Sequence, residues 1–475
     1  MFEKTLKKNK VLIVLLLFFI IRLIWGTVLN LTDDEAYYWM WSNHLGISYY
    51  DHPPMIAYFI KIFTSIFGSN NFSMRLPANI GIVIVSVLIY KISIYLFNDK
   101  NRAFWSVVLF NIIPLFALAG IMSLPDTPLL IFYTLSLYIF IKIIKEKKEK
   151  YWYLLGIVVG LGLLSKYNMF MVYPAIFFYL IFDKEERFWF TKKEVYLGFV
   201  LSLLLFLPVI IWNIQHDFIS FSFHLVERQK KVYKFRPYLF SQFFFGQMAI
   251  VSPVIFIGLF KESIKNFNKK YIKLLVFYAL PLVAIFTISS FSNPSKVHWL
   301  ATAYIPLLIV YVHSVDLSKK SFNIGWKIAV GLTLVVYIHL IYPILPIPPK
   351  DDISTDMYGW NKVGKVVENM YTDKNNWFVF GSRYQTASQL YFYLPNKDYV
   401  YSLNGRIEQF DFLQDEKDII GKNGIFVAHS FYNDNPEKIY NFDKVELVKT
   451  VDIKRKNKVY RTFYIYKCYN YKGLK

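Results

Sequence analysis

The stretch VLIVLLLFFIIRLIWGTVL (residues 11–29), followed at once by NLTDDEAYYWMW (residues 30–41), decides how the chain must be read. The first part is an apolar run near the length that crosses a bilayer as a helix. The basic segment Met1–Lys10 leads into it, and it ends in Trp25-Gly26-Thr27 without a small-residue cleavage pattern. It therefore reads as an uncleaved first span rather than a signal peptide. The second part sets three consecutive acids, Asp33, Asp34 and Glu35, directly outside that span. An aromatic run suited to the membrane interface comes next.

Composition agrees with a membrane reading. Over half of the chain is hydrophobic and a fifth is aromatic, more than soluble domains ordinarily carry. Lys and Arg outnumber Asp and Glu by 54 to 33. Most of that excess lies in short loops between apolar runs, which is the positive-inside pattern and not a basic face for nucleic acid. The single cysteine, Cys468, excludes an intrachain disulfide and a cysteine-based metal cluster.

After the first span, further candidates fall at roughly 76–97, 103–121, 127–144, 153–165, 167–182, 195–213, 238–260, 271–291, 299–315 and 326–346. The expectation is a polytopic α-helical membrane protein with about eleven transmembrane helices. Residues 1–348 would form the membrane domain, with external amphipathic helices within 32–72, and residues 349–475 a mixed α/β domain. With the N-terminus inside, every even-numbered connection is basic, as Lys145, Lys147, Lys148 and Lys150 illustrate. An odd number of spans then places the C-terminal domain outside the cytoplasmic membrane. One external loop, 214–237, departs from the rule with Arg228, Lys230, Lys231, Lys234 and Arg236. These are either a solvated turn or cations that meet phosphate at the outer surface. In the tail, helices are expected at Gly359–Tyr371 and Gln385–Tyr393. Strands are expected at Trp377–Phe380, Tyr399–Leu403, Ile425–Ala428 and Tyr460–Tyr466.

Ionisable groups at membrane depth are costly, so they are the informative ones. Thr32-x-x-Glu35 matches a capping box, which accounts for Thr32 and Glu35. Asp33 and Asp34 are explained less well, since one carboxylate already complements the helix dipole. Asp51-His52-Pro53-Pro54 offers a titratable base ahead of an interfacial helix. A metal would need more ligands than this pair supplies. No cofactor motif is present, and a divalent metal is left open. Asp126 can cap the helix it precedes, and Lys166 can snorkel to the interface. Arg75 and His298 open two of the spans. Taken singly, each has a structural explanation. Under the threading above, Asp34, His52, Asp126, Lys166, the 214–237 cations and His298 all fall on the non-cytoplasmic side, which suits a reaction that handles phosphate and abstracts a proton. A lipid-linked sugar flippase is the alternative. It would more often place its charges at the midplane beside broken helices.

The ordered series Asp-Glu-Ala-Tyr-Tyr (34–38), Tyr-Tyr-Asp-His-Pro-Pro (49–54), Arg-Leu-Pro (75–77), Pro-Asp-Thr-Pro-Leu (125–129) and Gly-Leu-Gly-Leu-Leu-Ser-Lys-Tyr (160–167) resembles the family 39 glycosyltransferases. These include bacterial relatives of protein mannosyltransferases and of the aminoarabinose transferase acting on lipid A. His-Trp (298–299) and Gly-Ser-Arg-Tyr-Gln (381–385) are similar to bacterial members too. The resemblance implies a C-type glycosyltransferase fold, a polyprenyl-phosphate sugar donor and an acceptor of unknown identity. It implies catalytic roles for Asp34, Glu35 and Asp126. His52, Arg75, Lys166, Tyr37 and His298 would contact the donor phosphate or sugar. At 51–52 the lipid A transferases resemble Glu-Lys, whereas this chain has Asp51-His52.

Overall fold

The structure, a computed structural model, describes residues 10–224, 235–371, 373, 375–432 and 434–475. Four cations of the basic loop, Arg228, Lys230, Lys231 and Lys234, lie outside the described residues. The chain divides into two compact units. One comprises Met1–Ile24, Ile47–Ile56 and Leu76–Val336, and the other Trp25–Gly46, Ala57–Arg75 and Tyr337–Lys475.

Helices dominate the first unit. Among the described residues of the whole chain, seven helices are long and apolar enough to cross a membrane: Lys10–Val28, Asn71–Phe97, Asp126–Glu146, Lys193–Gln215, Lys270–Ser290, Val297–Ser314 and Lys320–Ile341. Pro237–Val251 and Pro253–Lys265 add an eighth if counted together, although they bend by 101°. The bend falls at Ser252, whose φ of 86° is left-handed and precedes a proline that cannot continue the first helix. The other expected spans are short or interrupted. The apolar run 103–121 splits into Lys100–Ile112 and Pro114–Ala119. Residues 153–182 yield the 13-residue helix Tyr151–Leu163, a 3₁₀ turn at Tyr167–Met171 and the 11-residue helix Val172–Phe182.

Breaking a helix inside an apolar unit frees carbonyls that lipid cannot satisfy, at several kcal/mol each. At the Pro114 break, Arg22 Nη2 donates to the Asn111 carbonyl at 3.3 Å and Thr333 Oγ1 to the Ile112 carbonyl at 2.6 Å. Arg22 is buried, so this arginine within an apolar helix has a structural use. Elsewhere the helices meet through small residues. A Cβ built on Gly156 would overlap the Gly198 carbonyl oxygen, and one on Gly198 would overlap the Trp152 carbonyl oxygen. Without a hydrophobic drive between helices in lipid, such close backbone approach supplies the packing energy.

In the second unit, a five-stranded sheet runs in the order β2-β1-β3-β5-β4. Its strands are β1 (Trp377–Gly381), β2 (Val400–Ser402), β3 (Asn423–His429), β4 (Tyr440–Arg455) and β5 (Lys458–Leu474). β1 pairs in parallel with β2 and β3, and β5 pairs antiparallel with β3 and β4. Phe378, Phe380, Phe426, Tyr440, Tyr471 and the sole thiol, Cys468, pack the core on one face. The expected helices are found at Trp360–Glu368 and Tyr384–Tyr393. β4 was not expected from sequence. It is a charged, half-exposed edge strand whose alternating apolar residues Val445, Leu447, Val451 and Ile453 are set among charges, and lysines on an edge guard against further pairing.

Gly156→Leu should force the Tyr151–Leu163 and Lys193–Gln215 helices apart. Overpacking costs about 1–3 kcal/mol, so detergent-purified variant should melt several degrees below wild type or elute as aggregate. An unchanged melting curve would show that this backbone contact is dispensable.

Candidate active site

In the second unit, the Asp33–Asn43 helix starts at Thr32, whose side chain accepts from Glu35 N while the Glu35 side chain returns to the Thr32 backbone. The capping box is therefore formed, and it places the three acids at the positive end of the helix dipole. Glu35 is fully buried. Its Oε2 accepts from Thr32 N at 3.0 Å and Thr32 Oγ1 at 2.9 Å, while Oε1 pairs with the Arg75 guanidinium. Arg75 is also buried and donates from Nη2 to the Asn30 carbonyl at 2.8 Å and from Nε to the Gly26 carbonyl at 3.3 Å. Both residues thus hold the end of the first span to the helix that follows. Tyr37 is buried as well, accepting a hydrogen bond from Gln409 N at 2.7 Å and packing 4.4 Å from the Tyr384 ring.

Asp33 and Asp34 are only half-buried. Asp33 Oδ1 accepts from Gln389 Nε2 at 2.8 Å, and Asp34 Oδ1 accepts from the Tyr384 hydroxyl at 3.2 Å. Asp34 Oδ2 has no hydrogen-bond partner among the described residues. A third carboxyl, Asp356, lies within electrostatic reach of both. Desolvation pushes Asp33 up to about 6, against the opposing pull of Arg461 and Gln389. Desolvation and then the Asp33 carboxylate push Asp356 up to about 8. Arg461, itself buried, donates to the Thr355 and Tyr358 carbonyls at 3.0 and 2.8 Å and supplies the positive charge these acids share. Asp356 and Arg461 belong to no motif, so no local signal could have found them. Tyr384 lay within a quoted motif, but its role there was unassigned. A separate cavity of about 380 Å³ in this unit is lined by Thr27, Ser69, Asn71, Phe72, Tyr393 and Lys397 among others, none of them an expected site residue.

Asp126, Lys166, His298 and His52 belong to the first unit. Lys166 Nζ donates to both Asp126 oxygens, at 2.9 and 2.8 Å. Asp126 opens the Asp126–Glu146 helix, and Lys166 follows the turn that ends Tyr151–Leu163. Neither group is well exposed, with side-chain accessibilities of 10% for Lys166 and 16% for Asp126. His298 and Lys296 also act on Asp126, so two lysines and a histidine gather around one carboxylate. Beside it, the Tyr167 ring packs 5.1 Å from His224, and His224 lies 5.6 Å from His52. His224 Nε2 donates to the Asp51 carbonyl at 2.7 Å. Lys296 and His224 were not singled out from the sequence, since isolated basic residues in loops are ordinary. Among the described residues, the ligand atoms close enough to hold a cation are those of Asp183, Glu185 and Glu186. Lysines already pair with them: Lys147 and Lys270 with Glu186, Lys270 with Glu185, and Lys273 with Asp183.

Comparison with known proteins gives these clusters a context. The dolichyl-phosphate-mannose-protein mannosyltransferase family matches residues 51–212. Lipid A galacturonosyltransferase RgtD of Rhizobium johnstonii is 24% identical over 374 residues, 77% of this chain and 78% of that protein. Undecaprenyl phosphate-alpha-4-amino-4-deoxy-L-arabinose arabinosyl transferase of Yersinia enterocolitica is 23% identical over 31% of this chain and 28% of its own. Among solved structures, ArnT from Cupriavidus metallidurans bound to undecaprenyl phosphate superposes with a TM-score of 0.69 at 11% identity, covering 96% of this chain and 97% of that one. The resemblance read from the sequence is borne out, and so is the expected fold: a polytopic helical membrane protein with a C-terminal α/β domain.

Two outcomes follow from the buried charges. Breaking a buried ion pair by removing one partner costs about 3–5 kcal/mol, so Arg75→Ala should melt far below wild type; equal stability would refute the bracing role. For Asp356 the unfolded chain releases its proton near pH 4, as carboxyls ordinarily do, whereas the folded chain keeps it to about pH 8. The contribution of this carboxyl to stability is therefore full at low pH and falls as pH rises through that window. Asp356→Asn should gain melting temperature relative to wild type between pH 5 and pH 8. A pH-independent difference would refute it.

Proposed function

We propose that this chain, a membrane glycosyltransferase of the C-type fold, takes a sugar from a polyprenyl-phosphate lipid at the outer face of the cytoplasmic membrane. It passes the sugar to a hydroxyl or amine of an envelope acceptor. The undecaprenyl phosphate in the matched ArnT structure and the lipid A activity in the name of the Rhizobium relative support the lipid-linked donor. The outer-face assignment rests on the basic loops of the sequence threading.

The observation that carries the mechanism is the difference among three adjacent acids. Glu35 is consumed by Arg75 and the helix cap, and Asp33 is held by Gln389 and drawn toward its protonated form by burial. Asp34 keeps one oxygen outside any described hydrogen bond, which is what a general base needs. In this reading Asp34 Oδ2 takes the acceptor proton as the acceptor attacks the anomeric carbon. The bond from that carbon to the phosphate oxygen breaks, and its electron pair leaves with polyprenyl phosphate. A phosphate anion is a stable leaving group, so no acid has to protonate it. Within its own unit, Lys166, oriented by Asp126 and accompanied by His298 and Lys296, forms a cluster of the kind that holds a phosphate anion, and the sequence threading assigns it and His52 to the same membrane side as Asp34. Tyr37 and Arg75 would brace the Asp34 helix. One displacement inverts the anomeric centre.

Purified protein given undecaprenyl-phosphate sugars and a lipid A acceptor should release free undecaprenyl phosphate, which a flippase would not do. Removing a general base costs about 10²–10⁴-fold, so Asp34→Asn should lose that much turnover while keeping its melting temperature. Lys166→Ala should weaken donor use more than acceptor use. Wild-type turnover by Asp34→Asn would sink the assignment.

A further inference from the structure

The sheet of the second unit has a topological feature that bears on Asp34. From β1 the chain goes out to β2 on one flank, then returns past β1 to β3 on the other. Open α/β sheets bind ligands at the carboxyl ends of strands where such a reversal occurs. Here the loops leaving β1 and β3 at those ends are tied to each other. Ser382 Oγ donates to Asp434 Oδ2 at 2.6 Å, Arg383 Nε donates to the same oxygen at 3.2 Å, and the Arg383 guanidinium sits 4.1 Å from the centre of the Tyr432 ring. The lock fixes the start of the Tyr384–Tyr393 helix. From its first residue the Tyr384 hydroxyl reaches Asp34, and from further along Gln389 reaches Asp33 and the Leu31 carbonyl, at 2.8 and 2.9 Å.

We propose that Tyr384 is a positioning residue of the transfer reaction, through which the C-terminal α/β domain sets the base. This rests on Asp34 being that base. The hydroxyl donates to Oδ1, fixes the rotation of the carboxylate and leaves Oδ2 as the oxygen that receives the acceptor proton. Tyr384 keeps its own proton throughout, and the proton released by the acceptor ends on Asp34. Asp33 on the same helix and Asp356 from the turn after Thr355 lie within electrostatic reach of Asp34, and Arg461 of β5 acts on both of those acids.

The test is Tyr384→Phe, which keeps the ring against Tyr37 and removes only the donor. With the undecaprenyl-phosphate sugar assay above, kcat should fall about tenfold or more, with KM for donor and acceptor within about twofold, on the scale of one lost charge-assisted hydrogen bond. Added to Asp34→Asn, the same substitution should cost no further residual turnover, because the hydroxyl acts only through that carboxylate. Fluorotyrosine at 384, which keeps a donor, should retain kcat. A merely packing role would lower the melting temperature and slow both backgrounds alike. If Asp34→Asn is inactive but Tyr384→Phe keeps its kcat, the positioning role is overturned and the base assignment stands. If Asp34→Asn is active, the base assignment falls first, and this inference with it.

Discussion

The pair formed by Glu35 and Arg75 governs what the acids after the first span can do. A carboxylate and a guanidinium that are both buried would be destabilising apart, and together they tolerate burial only because each has further partners. Those partners are mostly backbone groups: Thr32 N at the helix start, beside the Thr32 hydroxyl, and the Asn30 and Gly26 carbonyls at the end of the preceding helix. The pair therefore fixes where one helix stops and the next begins. It gives Glu35 a structural use that its neighbours Asp33 and Asp34 do not share.

The two polar clusters solve opposite electrostatic problems. Around Asp33 and Asp356, acids outnumber cations, and the excess is met by holding protons and by the buried Arg461. Around Asp126 cations are in excess, and a lysine that could have snorkelled to water is instead held across both oxygens of a carboxylate. A lysine pinned in this way has little freedom left to lose, so any further contact it made would spend less binding energy on ordering it.

Legibility in the sequence followed the range of the interactions. The capping box was readable because Thr32 and Glu35 are three residues apart, and its formation confirms a local rule. The apolar runs were readable as helices. Whether each was whole was not, because Pro114 and the turn at Ser252 interrupt helices without lowering hydropathy. The contacts that define the site are long-range: Tyr384 and Asp34 stand 350 positions apart, and Gln389 and Asp33 stand 356 apart. A single sequence carries no record of such pairings. Asp356 and Arg461 escaped notice for the same reason, since their meaning lies in the desolvation they share. Among the candidates, Asp34, Lys166 and Asp126 were visible as costly charges. Lys296, His224 and Tyr384 became visible only once folding placed them beside those charges.

The lone cysteine also has a practical consequence. Cys468 is wholly enclosed by the aromatic core of the sheet, and burial pushes its thiol up to about 12, so the thiolate that alkylating reagents require is scarcely populated near neutral pH. The native chain is in effect silent toward maleimides. A cysteine introduced at any exposed position would then be the only one to label. Each connection could be assigned to one side of the bilayer with a membrane-impermeant dye, without first removing the native cysteine.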